Sequence, residues 1–173
     1  MKNNKQELEL FENQLMSYHI PRYEEFPILE LYKDQIILFL NKHFAPFVGS
    51  EEEPILTSSM INNYVKHGII PPPNGKKYTR RHLAYITVVC FLKQVLSMQE
   101  IKEVIKDSLQ HTSERVAYEF FCDKMEQEFE ACCNFGKNQN CEVVEHKGYL
   151  VCVLAKAVAN KLYAQKIIQI NSK

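Results

Sequence analysis

The sequence predicts a mainly α protein with one small β-hairpin wing and additional C-terminal helices. Apolar residues recur at helical spacing through most of the chain after residue 27, and good capping residues (Thr57, Thr79, Ser97) stand just ahead of three such segments. One Asn-Gly pair, at Asn74-Gly75, offers the only strong tight-turn signal. Only five Gly and no Trp occur in 173 residues, which argues against a turn-rich β-sandwich. Hydrophobic content of 46% and charged content of 24% are ordinary for a soluble globular protein, either one domain with a full core or a small domain with an appendage.

Residues 1–25 are polar with scattered Leu and Phe, a weak helical pattern that predicts a loosely ordered N-terminal segment. From Pro27 the pattern tightens. Leu31, Ile36, Ile37, Leu40 and Phe44 share one helix stripe, with Lys33, Asp34 and Lys42 outside it. Two prolines, Gly49 and Glu51-Glu52-Glu53 make Ala45–Pro54 a loop, and the glutamates a solvated run. Thr57 caps a short helix reaching Lys66 or His67, Gly68 sits at its C′ position, and Pro71 prevents its resuming. Pro73-Asn74-Gly75-Lys76 then suits a type I′ hairpin with Ile69–Pro71 and Lys77–Tyr78 as its arms. Thr79 caps a helix to about Leu96 with Leu83, Ile86, Cys90 and Leu92 inward. Ser97 and Glu100 form a capping box opening a helix whose apolar face is Ile101, Val104, Ile105 and Leu109. A helix over 113–133 carries Val116, Phe120, Phe121, Met125 and Phe129 as its stripe; 134–140 is a loop, and the last helix spans about 148–168. The organisation expected is an N-terminal segment (1–25), a central domain (26–110) and a C-terminal helical region (111–173) that completes the core, dimerises or binds an effector.

Charge is distributed unevenly along this order. Between Ile55 and Gln99 there is no Asp or Glu, while Lys66, Lys76, Lys77, Arg80, Arg81 and Lys93 supply six positive charges. Residues 1–54 hold five basic and ten acidic side chains, residues 100–173 ten and eleven, so the whole chain is neutral. A single basic block in a neutral chain points to a localised anionic partner, because solvated faces ordinarily mix signs.

Within the block, Ile61, Tyr64 and Val65 fall on one helix face, leaving Ser59, Asn62, Asn63 and Lys66 on the outer one. Asn pairs with adenine in a major groove, Ser bonds to base or phosphate, and Lys neutralises phosphate. Base reading is therefore expected from Ser59, Asn62 and Asn63. Phosphate binding is expected from Lys66, Lys76, Lys77, Tyr78, Arg80 and Arg81, with the arginines opening a helix and no acid nearby in sequence.

The run Asn62-Asn63-Tyr64-Val65-Lys66-His67-Gly68-Ile69-Ile70-Pro71, then Lys76-Lys77-Tyr78-Thr79, then Ser97-Met98-Gln99-Glu100-Ile101, resembles the MerR-type winged helix-turn-helix. That family shows an Arg-Tyr-Tyr helix, Gly-Leu-Leu-x-Pro, a wing ending Arg-x-Tyr, and Ser-x-x-Glu-Ile. Lys76 and Tyr78 match the wing by type and spacing, whereas Asn62 and Asn63 stand where the Arg and first Tyr would be. About a dozen residues also separate this helix from the one before it, where a helix-turn-helix ordinarily has three or four. Leu29–Gln35, Met60–Lys66, Pro71–Tyr78 and Leu92–Val95 further resemble the bacterial domain-of-unknown-function family 1836, itself regarded as MerR-like; this likeness covers roughly 25–165. The resemblance implies a transcriptional regulator binding double-stranded DNA, with an effector it does not identify. The competing expectation is a protein-interaction module of the same fold whose basic face takes an acidic partner.

Other chemistry finds little support. No Gly-rich phosphate loop, His-Glu-x-x-His or Gly-x-Ser-x-Gly is present, and the six His are scattered, so no enzyme and no cofactor are expected. Cys132, Cys133, Cys141 and His146 are the nearest approach to a metal set, but adjacent cysteines on a helix diverge by about 100° and no Cys-x-x-Cys occurs. Six free thiols in a reducing compartment are expected. The start lacks a secretory apolar stretch and no segment is long enough to span a bilayer, which predicts a cytoplasmic protein with no membrane partner. Val153–Ala159, apolar over more than one face, suits either core closure or a homodimer interface.

Overall fold

A computed structural model describes residues 2–47, 54–110, 112–134 and 149–171. The described residues form α1 (Lys2–Met16), β1 (Leu31–Tyr32), α2 (Lys33–Phe44), α3 (Ser58–Lys66), β2 (Lys77–Tyr78), α4 (Arg80–Leu92), α5 (Met98–Ser108), α6 (Glu114–Cys133) and α7 (Tyr149–Asn171), with short 3-10 turns at Tyr23–Glu25 and Ala45–Phe47. The protein is thus mainly α with one two-stranded sheet. It divides into two compact units, Pro21–Phe120 and Met1–Ile20 with Phe121–Lys173.

In the central unit, α4 is buried on most of its surface. Leu83, Ile86, Val89, Cys90, Phe91 and Leu92 are all enclosed, and Ile36, Leu40 and Phe44 of α2 and Ile61 and Tyr64 of α3 join them in the core. Aromatic edges fill the seams. Phe44 and Phe47 approach Phe91 edge-on at 5.0 and 5.8 Å, while Phe26 meets Tyr118 at 5.6 Å. Two long side chains and one amide hold α3 in place. Asn41 of α2 donates to the Leu56 carbonyl at 2.9 Å and accepts from its N–H at 3.0 Å, and Lys93 donates to the Ile55 carbonyl. At the other end Lys102 of α5 donates to the His67 carbonyl at 3.1 Å.

The ends of α3 follow the expected capping. Thr57 Oγ1 accepts from Met60 N–H at 3.3 Å. At the C-terminus Gly68 N–H bonds to the Val65 carbonyl and Ile69 N–H to that of Tyr64, each at 3.0 Å, with Gly68 at φ +63°: a Schellman turn. The capping box of α5 is present as read, Ser97 N–H donating to Glu100 Oε2 at 2.7 Å and Glu100 N–H to Ser97 Oγ at 3.4 Å.

The wing is built differently from the expected hairpin. Lys77–Tyr78 pairs antiparallel with Leu31–Tyr32, not with Ile69–Pro71. Ile69 and Ile70 are buried and direct their N–H groups to the Tyr64 carbonyl, and Pro71–Pro73 have no N–H to give a ladder. Leu31, placed by periodicity on the α2 stripe, therefore belongs to a strand. The tip closes between Asn74 and Lys77, with both backbone bonds at 3.0 Å. The central residues are thus Gly75 and Lys76, and only Gly75 has positive φ (+61°), so the turn has Gly at its first central position as in type II′ rather than type I′.

In the other unit, residues 2–16 form α1, where a loose start was expected. Phe11 and Leu15 are buried, Glu12 accepts from the Tyr163 hydroxyl, and Lys166 reaches Glu7 at 3.3 Å. On α6, which contributes to both units, Phe121, Met125 and Phe129 are buried as the stripe predicts, joined by Tyr118, Cys122 and Cys132, whereas Val116 is 57% exposed and Phe120 half-buried. On α7, Leu154, Ala155, Val158 and Ala159 are enclosed within the chain. No helix among the described residues is long and apolar enough to cross a membrane.

Gly68→Ala is expected to destabilise the protein by about 1–2 kcal/mol, the cost of a left-handed L-residue. Space is not the cause, since an added Cβ would meet only Lys102 Nζ, at 3.5 Å. Urea unfolding midpoints measure it, and a variant as stable as the parent would contradict this account of the turn.

Candidate nucleic-acid interface

The outer face of α3 is as the periodicity predicts. Ser59, Asn62, Asn63 and Lys66 are exposed, while Ile61 and Tyr64 turn inward. The β1–β2 ladder sets the wing beside this face. A groove of about 580 Å³ lies between them, lined by Lys33 and Asp34 from α2, Ser58, Asn62 and Lys66 from α3, Gly75 and Lys76 from the wing, and Tyr32 and Tyr78 of the two strands.

The six cations of the acid-free window divide into two groups. Lys66, Lys76 and Lys77 are exposed, and Lys77 Nζ lies 5.9 Å from the centre of the Tyr32 ring. None of the three has a carboxylate partner among the described residues. Arg80 and Arg81 do, which corrects the expectation that no acid lies near them. Arg80 binds Glu24 Oε2 at 2.6 Å and the carbonyls of Phe26 and Glu24 at 2.8 and 3.1 Å, and Glu24 also pairs with Arg115 at 2.8 Å. Arg81 binds Glu114 at 2.6 Å, and the Tyr85 hydroxyl donates to the same oxygen at 2.7 Å. Burial pushes the Glu114 carboxyl up, but Arg81 and Tyr85 outweigh it and hold the group below the usual carboxylate range. Lys93 is committed to the Ile55 carbonyl and Met60 sulfur. The acids that neutralise the arginines come from sequence positions far outside the window, so no linear charge count could find them.

Tyr78 is buried, its ring edge-on to His82 at 5.3 Å, so it forms the floor of the wing rather than a phosphate contact on its surface. His82 was not singled out by sequence. Thr79 N–H can only donate, so its 3.0 Å contact makes His82 Nδ1 the acceptor; Nε2 then carries the proton and donates to the Pro72 carbonyl at 3.2 Å. This ring ties the start of α4 to the proline run. Burial is the main reason its pKa falls below the ordinary histidine value, with the Arg81 charge adding to it and the Pro72 bond opposing.

Cys132 and Cys133 belong to the other unit. Cys132 Sγ donates to Asn160 Oδ1 at 3.2 Å and Cys133 Sγ to the Glu12 carbonyl at 3.7 Å, and burial raises the Cys132 thiol to about 11. Cys141 and His146 are outside the described residues. Among the described residues no cluster of three or more His, Cys, Asp or Glu has metal-binding proximity.

A family model described as Domain of unknown function (DUF1836) matches residues 21–130, nearly the span of the central unit. The chain belongs to that family. A stretch of 91 residues, 53% of the chain, is 29% identical to part of U3 small nucleolar RNA-associated protein 20 of Saccharomyces cerevisiae, and covers 3% of that protein's length. No solved structure matches the chain.

Two outcomes follow from this geometry. Arg80→Ala is expected to lose about 1–3 kcal/mol of stability, since it removes charge-assisted bonds to a carboxylate and two carbonyls, whereas Lys76→Ala should stay within about 0.5 kcal/mol; parallel urea titrations compare them. His82 is held neutral in the fold. Its stabilisation is therefore complete above the ordinary histidine pKa of about 6.5 and is lost as pH falls below it. Thermal midpoints from pH 8 to 5 should fall more for the parent than for His82→Asn, and equal falls would remove His82 from this role.

Proposed function

We propose that this protein is a DNA-binding transcriptional regulator of MerR-like winged-helix type. In this reading α3 enters the major groove and the wing lies along the flanking backbone. Ser59, Asn62 and Asn63 read base edges, while Lys66, Lys76 and Lys77 neutralise phosphates. The observation that carries the proposal is an exposed polar helix face with three lysines free of carboxylate partners among the described residues, Lys66 at the end of that helix and Lys76 and Lys77 on a wing held beside it. That is the division of labour duplex recognition requires: fixed cations for register, and hydrogen-bonding side chains for sequence.

Arg80 and Arg81 take a different part in this reading. Their ion pairs anchor the start of α4, and they contribute to the positive field around the wing only after Glu24 and Glu114 have offset them. Homodimerisation belongs to the same proposal. Paired half-sites about one helical turn apart would match a two-fold dimer. On α7, Leu150 and Val153 are exposed large apolar residues that a second copy could cover, while Leu154, Ala155, Val158, Ala159 and Leu162 are buried.

Selection from a random duplex pool tests the reading directly. The parent should enrich one sequence, and Asn62→Ala/Asn63→Ala should abolish the enrichment. The slope of log K against log salt should fall by about 0.9 for each of Lys66, Lys76 and Lys77 replaced by Ala, and stay unchanged for Arg80→Ala. No duplex affinity at low salt would sink the proposal. Affinity for acidic polypeptides with no discrimination among duplexes would favour the protein-interaction module.

A further inference from the structure

One residue of the α3 surface comes from outside the basic window. Lys33, the first residue of α2, donates from Nζ to Asn62 Oδ1 at 2.6 Å. An ammonium has only donors, so the amide atom facing it must be the oxygen, and the NH₂ group is turned the other way. Both partners stand on backbone held from elsewhere. Lys33 follows directly on the β1–β2 ladder through Tyr32↔Lys77, and α3 is pinned to α2 by the two Asn41–Leu56 bonds. The groove beside them contains Lys66 and Lys76 and, as its one lining carboxylate, Asp34.

Asparagine reads adenine with both ends of its amide, accepting from N6–H and donating to N7. In Asn62 the accepting end is already engaged by a cation. A second donor brought to the same oxygen would have to approach the Lys33 ammonium, and adenine N6 carries positive hydrogens. The donating end is free, and the ammonium on the carbonyl polarises the amide, which strengthens its N–H donors. Two donors on one amide match an edge with two acceptors. In the major groove that edge is guanine, with N7 and O6.

We infer that Lys33 is a specificity-determining positioning residue: through its bond to Oδ1 it makes Asn62 a donor-only reader, selecting guanine over adenine. The inference rests on the proposed major-groove role of α3, and goes beyond it in assigning a base and a residue that controls the choice.

Pool selection with the full chain separates the possibilities. The parent should show guanine at one position whose preference disappears in Asn62→Ala. Lys33→Met should change that position to adenine, by about 5- to 150-fold, the range spanned by one bidentate base contact. Lys33→Arg, which keeps a cationic donor, should keep guanine, and Lys33→Ala replaces the Met variant where circular dichroism shows the latter unfolded. Guanine retained in the folded Met or Ala variant overturns the inference, as does uniform weakening on every sequence, which would make Lys33 a plain phosphate contact. Adenine at the Asn62-dependent position of the parent overturns it too. A sequence selected by the parent but indifferent to Asn62→Ala removes this inference and leaves the DNA-binding reading standing. A parent that selects no duplex removes both.

Discussion

Pro71, Pro72 and Pro73 carry no backbone N–H, and the placement of the whole basic surface depends on that. A strand with three consecutive missing donors cannot form the inner arm of a hairpin. Lys77–Tyr78 therefore finds its partner 45 residues upstream, at Leu31–Tyr32. This one exchange has three effects. It turns Leu31 from a helical position into a strand position, it starts α2 at Lys33, and it brings the first turn of α2 to the edge of α3. The groove, the Lys33–Asn62 bond and the exposed wing lysines all exist because the wing is stitched to α2 and not to the segment that immediately precedes it.

The segment freed from pairing is put to other use. Ile69 and Ile70 give their N–H groups to the last turn of α3 and their side chains to the core, and the Pro72 carbonyl receives the His82 ring. Gly68 makes this possible by entering the left-handed region, where an L side chain would be strained. The chain thus leaves α3 by a sharp turn, buries Ile69 and Ile70, and runs through the proline segment to the exposed Gly75 tip. The tip is polar and open, with nothing within 4 Å of a Cβ added at Gly75.

Electrostatics follows the same logic of long-range completion. A window of 45 residues without an acid reads as strongly cationic, yet half of its fixed charge is committed inside the fold. Glu24 and Glu114 reach Arg80 and Arg81 from separate regions, and Lys93 is consumed by a carbonyl that positions α3. What remains is narrower and better aimed: Lys66, Lys76 and Lys77, with Lys33 added from α2. Exposed ion pairs such as Arg81–Glu114 contribute little stability individually. Their larger consequence is that they remove the arginines from the set of cations available to a partner.

Local physics made much of this legible in advance. The extents of α3 and α6, the start of α5, the Thr57 and Ser97 caps, the Gly68 turn, and the outward set Ser59, Asn62, Asn63 and Lys66 all follow from interactions spanning four residues or fewer. The 3.6-residue period and side-chain capping are properties of a short stretch of chain, so a sequence states them directly. The misreadings share the opposite property. The strand partner of Lys77–Tyr78, the acids on Arg80 and Arg81 and the Lys33–Asn62 contact each join residues tens of positions apart. Sequence by itself determined the helical character of the chain after residue 33, the ends of α3 and which face of α3 is polar. Tertiary structure alone decided which cations stay available and that Asn62 Oδ1 meets Lys33, because charge pairing and strand pairing depend on distance in space, and the chain fixes that only once it has folded.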